Sequence, residues 1–231
     1  MPSVLITGAN RGLGLEFTRQ YGADGWRVFA CCRNPGEANE LAEIAANHPN
    51  EVCIHEMEVT DPVSVNTVAE ALRNEAIDLL ISNAGVLGSR NWELGKTDYD
   101  SWGETLEVNV LGAARVLESF SDHVARSERR QMVTISSKLG SIALAKATSN
   151  LAYRTSKAAV NMAVKCVADA LERRGVICVT VIPGWVQTDM GGANADLTPG
   201  ESVGNMRRLF KTPGLEHTGR FFNHDGTEHP W

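Results

Sequence analysis

Short, continuously apolar runs alternate along this chain with longer stretches whose apolar positions recur at helical spacing. VLIT (4–7), RVFACC (27–32), EVCIHEMEV (51–59), IDLLIS (77–82), QMVTIS (131–136), VICVTVIP (176–183) and GRFFN (219–223) read as strands. Between them, residues 12–24, 36–48, 62–75, a long stretch around 99–126, 151–174 and 201–211 read as helices. Strands joined by helix-length crossovers predict a parallel sheet, and runs as apolar as IDLLIS suit burial on both faces. The expected fold class is therefore α/β: one doubly wound parallel sheet of about seven strands with helices on both faces. No linker, repeat or low-complexity segment divides the chain, so residues 1–231 read as a single domain. In such a sheet, ligands settle beyond the carboxyl ends of the strands where the strand order reverses. The loops that follow the strands are where chemistry is expected.

Composition narrows the function classes. The 231 residues are 43% hydrophobic and 22% charged, ordinary values for a globular domain. A net charge of −6 with no basic run argues against a nucleic-acid partner, since nothing would attract a phosphate backbone. Arg126, Arg129 and Arg130 are interrupted by Glu128 and read as a solvated helix end. No stretch approaches the ~20 apolar residues of a membrane span, so no membrane partner is expected. The start MPSVLITGAN has no signal-peptide pattern and enters a strand at once, which places the protein in the cytoplasm as an expectation. The five cysteines read as small hydrophobes of a reducing compartment. The six histidines lack ligand spacing, so no metal site is expected, and no GxSxG elbow supports a serine hydrolase.

The first loop changes the picture. TGANRGLG (7–14) follows a strand and opens a helix, with Gly8, Gly12 and Gly14 allowing a tight turn and a close backbone approach to a ligand. A helix N-terminus then offers free N–H groups and a positive dipole end to an anion. The spacing GxxxGxG is neither GxGxxG nor a P-loop, and a glycine-rich turn without a ligand is the competing reading. At the end of the second strand, where NAD-preferring proteins place a carboxylate, stands Cys32, followed by Arg33. Arg11 within the glycine loop is a second cation. Two cations and no acid favour NADP(H) over NAD(H).

TGANRGLG, SNAG (82–85), Asn109, the serine pair 136–137, YRTSK (153–157) and PGWVQTDM (183–190), in this order, resemble the short-chain dehydrogenase/reductase family. The resemblance spans nearly the whole chain. AYRTSK, PGWVQTDMGG and the ending FFNHDGTEHPW are most similar to the C-factor and sniffer-type carbonyl reductases of that family. The resemblance implies a Rossmann-type fold and four catalytic residues: Ser137 on the substrate carbonyl, Tyr153 as proton donor, Lys157 on the nicotinamide ribose, and Asn109 in a helix, positioning a relay water. It implies cofactor contacts from Gly8, Asn10, Arg11, Gly12, Leu13, Gly14, Arg33, Glu58, Val59, Asn83, Ala84, Gly85, Tyr153, Lys157, Pro183, Gly184, Val186 and Thr188. Three features depart from the family pattern. Glu58 replaces a shorter Asp or Asn, fifteen residues separate Ser137 from Tyr153, and the stretch after Thr188 is short and glycine-rich, a small mobile lid at about 189–215.

Taken singly, each feature has an ordinary explanation. Serines end strands, an asparagine in a helix bonds backbone, and a tyrosine and lysine four apart pack along one helix face. Together they point into one crevice. The expected activity is NADPH-dependent reduction of a ketone or aldehyde, or its reverse, with Tyr153 as general acid/base and Lys157 lowering its pKa. The alternatives are an epimerase or dehydratase of the extended relatives, and a cofactor-binding signalling protein of the C-factor type with little or no turnover. The partner is a small-molecule carbonyl or alcohol, walled by Leu87, Trp92, Leu94, Leu139, Ile142, Leu144, Trp185 and Met190. A homodimer or homotetramer through the helix carrying YxxxK follows from the resemblance.

Overall fold

The computed structural model describes residues 1–90, 92–146 and 149–231. The strands are β1 (Ser3–Thr7), β2 (Arg27–Cys32), β3 (Val52–Glu56), β4 (Leu79–Ser82), β5 (Gln131–Ile135), β6 (Ile177–Ile182) and β7 (Phe221–Asn223). They form one sheet in the order β3-β2-β1-β4-β5-β6-β7, and every pairing is parallel. Leu5 sits level with Phe29 on one side and Leu80 on the other. The order runs one way from β1 to β3 and the other way from β4 to β7. The crevice between β1 and β4 is therefore the switch point where a ligand is expected.

The helices are α1 (Gly12–Ala23), α2 (Asn39–Asn47), α3 (Pro62–Ala71), α4 (Tyr99–Leu106), α5 (Ala113–Ser119), α6 (Ser121–Ala125), α7 (Leu151–Glu172) and α8 (Pro199–Leu209). Alternation along β1 divides the interior between them. Val4 and Ile6 enter a core with Phe17 of α1, Leu41 of α2 and Met206 of α8. Leu5 enters the opposite core with Val65 of α3, Val116 of α5 and Val160 of α7. Both faces of the sheet are thereby buried, as its apolar strands demand.

The main departure from the sequence reading is the stretch 99–126, expected as one helix. Residues 107–112 open into a π-helical turn between α4 and α5, and the chain breaks again at Phe120 (φ −102°, ψ 6°). Gly112 brings this turn against the loop after β3, where a Cβ would lie 2.9 Å from Val59 Cγ2. Several strands are a residue or two shorter than expected at one end or both; β3 stops at Glu56, leaving Met57–Val59 as loop. Helix α8 begins two residues earlier than read. Thr198 accepts from the Glu201 N–H while Glu201 accepts from the Thr198 N–H, a capping box ahead of Pro199. Among the described residues no helix is long and apolar enough to cross a membrane, and no group of His, Cys, Asp or Glu could hold a metal ion.

Candidate active site

A cleft of about 400 Å³ opens at the β1–β4 switch point. Of the expected residues, Gly8, Asn10, Arg11, Gly12, Leu13, Arg33, Glu58, Val59, Asn83, Ala84, Gly85, Tyr153, Lys157, Pro183 and Thr188 line it. Gly8 and Gly12 hold φ of +66° and +55°, conformations that side chains disfavour, and a Cβ on Gly8 would reach 3.0 Å from Ala84 Cα. Thr7 closes the floor, its hydroxyl accepting from the Asn83 and Ala84 N–H groups at 3.0 Å each. Asn83 returns a bond from Nδ2 to the Thr7 carbonyl at 2.9 Å. Helix α1 starts behind the loop with no side-chain cap on its first N–H groups. These donors face a cradle kept open by Gly8 and Gly12, which fits the diphosphate of a dinucleotide.

Five expected residues stand outside the lining instead: Gly14, Gly184 and Val186, and the catalytic candidates Ser137 and Asn109. Gly14 is pressed onto the loop, since a Cβ there would lie 2.1 Å from the Gly8 carbonyl oxygen. A glycine is needed there for the helix to pack against the loop. Gly184 (φ +87°) turns toward Leu197 and His224, and Val186 is buried in a bridge to Leu197. Conversely, Cys32, Asn34, Glu37, Met57, Val86, Val108, Ile135, Ser136, Asp189 and Met190 also line the cleft. Of these, Asn34 and Glu37 could not be read from sequence. They face the cleft because a short helical turn at Pro35–Glu37 follows β2, and a turn of that length has no periodicity to detect. Arg33 is largely exposed and lies 3.6 Å from Glu58, whose other oxygen accepts from the Thr60 N–H at 3.0 Å.

At the inner end, α7 presents Tyr153 and Lys157 one turn apart, both buried. Ser137 follows β5; its hydroxyl accepts from the Leu139 N–H at 3.1 Å and is hydrogen-bonded to Tyr153. Lys157 Nζ donates to the Ile135 carbonyl at 2.9 Å and lies 5.6 Å from the centre of the Tyr153 ring. Burial pushes the Tyr153 hydroxyl up to about 12, partly offset by the bond with Ser137. Burial pushes Lys157 down to about 8. In the chain without cofactor, desolvation dominates over any effect of the lysine charge, and both groups are driven toward their neutral forms.

Asn109 sits in the π turn rather than in regular α-helix, 1% exposed. Its Oδ1 accepts from the Val86 N–H and its Nδ2 donates to the Val86 carbonyl, both at 2.8 Å. Nδ2 also reaches Ser156 Oγ at 2.9 Å. Asn109 therefore clamps the strand-four loop to α7. Gly85 leaves room for it, as a Cβ there would stand 3.2 Å from Asn109 Oδ1 and 3.7 Å from Lys157 Nζ.

The lid read as mobile is laced to itself and its surroundings. The Trp185 indole donates to the Gly191 carbonyl at 2.8 Å, and Gln187 donates to Ala195 and Leu197 carbonyls. Arg11 reaches Asp189 at 3.1 Å across the cleft. Of the expected substrate walls, Met190 faces the cleft, while Leu94 and Ile142 are mostly exposed. Trp92 lines a separate small cavity with Trp102. Residues 91, 147 and 148, within the expected wall segments, lie outside the described residues.

The short chain dehydrogenase family model matches residues 2–197. The C-signal protein of Myxococcus xanthus is 42% identical over 156 residues, covering 67% of this chain and 93% of that one. The structure of the carbonyl reductase Sniffer of Drosophila melanogaster superposes with a TM-score of 0.92 at 29% identity, over the full length of both chains. That of an NADPH-bound carbonyl reductase from chicken fatty liver does so with a TM-score of 0.90 at 35% identity, covering 100% of this chain and 99% of the other.

Proposed function

The chain belongs to the short-chain dehydrogenase family, and on that premise we propose that it is an NADP(H)-dependent oxidoreductase that reduces a ketone or aldehyde to an alcohol, or runs the reverse. The observation that carries this reading is the meeting of Tyr153 and Lys157 at the inner end of a cleft whose outer end is a glycine cradle, with Ser137 hydrogen-bonded to Tyr153. Cofactor chemistry supplies the hydride. The chain positions and protonates. As negative charge grows on the carbonyl oxygen, Ser137 and Tyr153 act as donors aimed at it, and Tyr153 gives up its proton. Lys157, fixed by the Ile135 carbonyl, is the candidate ribose contact, and Asn109 holds the loop and helix that frame it. At the outer end, Cys32 in place of a carboxylate, with Arg33 and Arg11 at the rim, supports a 2′-phosphate.

The NADPH-bound chicken reductase and the Sniffer reductase support the same cofactor and reaction class. A signalling role without turnover, suggested by the C-signal relative, would leave the buried Tyr153 and Lys157 and their partner Ser137 without employment. The lid at about 189–215, a cytoplasmic site of action and self-association through the exposed Met162 face of α7 complete the proposal. The test is Tyr153→Phe, with NADPH consumption followed at 340 nm against a panel of aldehydes and ketones. Turnover is expected to fall by about 10²–10⁴-fold, the size of a general-acid contribution, while NADPH affinity holds within about threefold. Wild-type rates in the variant would overturn the reading.

A further inference from the structure

The chain carries a net charge of −6, yet the segment that supplies Tyr153 and Lys157 is locally cationic in sequence. From Gln131 to Ala168 it contains Lys138, Lys146, Arg154, Lys157 and Lys165 and neither Asp nor Glu. This stretch supplies Ser137, Tyr153 and the loop between them. Arg90, in the loop after β4, joins the group: its Nη2 donates at 3.1 Å to the carbonyl of Met190, a lid residue that lines the cleft. The Arg90 carbonyl accepts from the Asn150 N–H at 3.1 Å. Arg154, next to Tyr153, donates from Nε to the Ser149 carbonyl at 2.9 Å. Both arginines are therefore anchored around the same 149–150 turn, each by backbone contacts that leave further guanidinium N–H groups for a ligand.

Carboxylates near this rim have other employment. Asp189 pairs with Arg11, Glu93 pairs with Lys96, and Asp98 caps α4 by accepting from the Ser101 N–H. Among the described residues, no ion pair engages Arg90, Lys138, Lys146 or Arg154. Lys138, directly after Ser137, is exposed. Like charges gathered along one rim without neutralisation repel one another, and an anion seated there relieves that cost. A guanidinium fork matches a carboxylate in shape as well as charge.

We propose that this rim selects carbonyl compounds that carry a carboxylate, with Arg90 and Arg154 receiving the carboxylate while the carbonyl meets Ser137 and Tyr153. The inference rests on the carbonyl-reductase reading and adds the substrate class to it. The test compares 4-carboxybenzaldehyde with methyl 4-formylbenzoate, which share ring and aldehyde and differ in charge. The ratio of their kcat/KM values with NADPH is measured for the wild type and for R90Q/R154Q, at about 20 mM and about 300 mM salt. Calorimetric binding of each compound to the NADPH-loaded protein runs alongside. Using a ratio on one protein cancels any general loss of activity in the variant, and the salt comparison requires no variant.

The acid is expected to be favoured by about fivefold or more at low salt. That preference should fall toward unity at high salt and in R90Q/R154Q. A wild-type ratio at or below one, or a ratio unmoved in the double variant, overturns the inference while leaving the carbonyl reading intact. If neither aldehyde nor any of the wider panel is turned over, the carbonyl reading itself fails. The calorimetric acid-to-ester ratio then decides the anion site by the same criteria.

Discussion

Lys157→Met is expected to stabilise the cofactor-free protein while destroying its activity. Lys157 is buried with its Nζ on the Ile135 carbonyl, and burial lowers its pKa from 10.5 to about 8. The folded-state value is the lower one, so between about pH 8 and 10.5 the unfolded chain binds more protons. Stability therefore rises with pH through that window, and below it the full cost of burying the charge is present. At about 1.4 kcal/mol per pH unit, the gap between 10.5 and about 8 corresponds to about 3 kcal/mol at pH 7. Methionine keeps a flexible stem of similar bulk and has no charge to desolvate. It forfeits the bond to Ile135, at a loss of about 1 kcal/mol. The net gain expected at pH 7 is about 2 kcal/mol, or roughly 5 °C in Tm for a chain of this length.

The assay is urea unfolding of wild type and variant, without cofactor, at pH 7.0 and pH 9.5. At the higher pH the native lysine is largely neutral, so the wild type recovers about 2 kcal/mol and the two curves should nearly coincide. Working below pH 10 keeps Tyr153 out of the comparison, because its folded value near 12 lies above its unfolded one. Titration of the buried thiols Cys31, Cys32 and Cys178 is common to both proteins and cancels. A variant less stable than wild type at pH 7, or a gap of the same size at both pH values, would refute the reasoning.

Arg33→Ala should weaken NADPH by about 10- to 100-fold, the loss of a charge-assisted contact of about 1.5–3 kcal/mol, and NADH by less than about threefold. Fluorescence titration checks it, and equal losses for the two cofactors would remove Arg33 from phosphate recognition. Asp189→Ala breaks the Arg11 bridge over the cleft, whose side chains are 60% and 79% exposed. Pairs so exposed contribute about 1 kcal/mol at most, so stopped-flow should show cofactor release no more than about fivefold faster, with the difference gone at high salt. Trp231→Ala should raise the carbonyl KM and leave NADPH affinity alone, as steady-state kinetics would show. The Trp231 ring stacks on Phe221 at 5.0 Å while its carbonyl accepts from Ser141 and Ala143 in the loop beside Ser137.

The order and number of strands were legible because each is an unbroken apolar run, and runs such as LLIS have nowhere to lie but between two helix layers. The glycine loop was legible for the same kind of reason: its chemistry is backbone chemistry, and glycines at fixed spacing announce it. What escaped was set by packing between distant segments. Helical periodicity does not distinguish an α turn from the π turn at 107–112, which Gly112 fits against Val59. Nor does it show that Asn109 is spent on Val86 and Ser156. Gly14, Gly184 and Val186 sit among contact residues in sequence, yet a glycine tolerated for packing and one needed for contact look alike until their neighbours are known.

The proton inventory of the site is where sequence and structure part most sharply. Four-residue spacing between Tyr153 and Lys157 invites the idea of a cation that ionises a tyrosine. The geometry provides the lysine with a carbonyl partner, Ile135, and provides the tyrosine with a hydroxyl, Ser137. Neither partner carries a charge, so desolvation sets both pKa values. A tyrosine held near 12 keeps its proton throughout the neutral range, which is the form reduction consumes, although burial also makes it a weaker acid. Oxidation needs the same residue as a base, and burial opposes that state by about 1.4 kcal/mol for each pH unit of upward shift. The residues of this chain, before any cofactor charge acts on them, therefore hold Tyr153 protonated, and any lowering of its pKa has to come from the groups bound beside it.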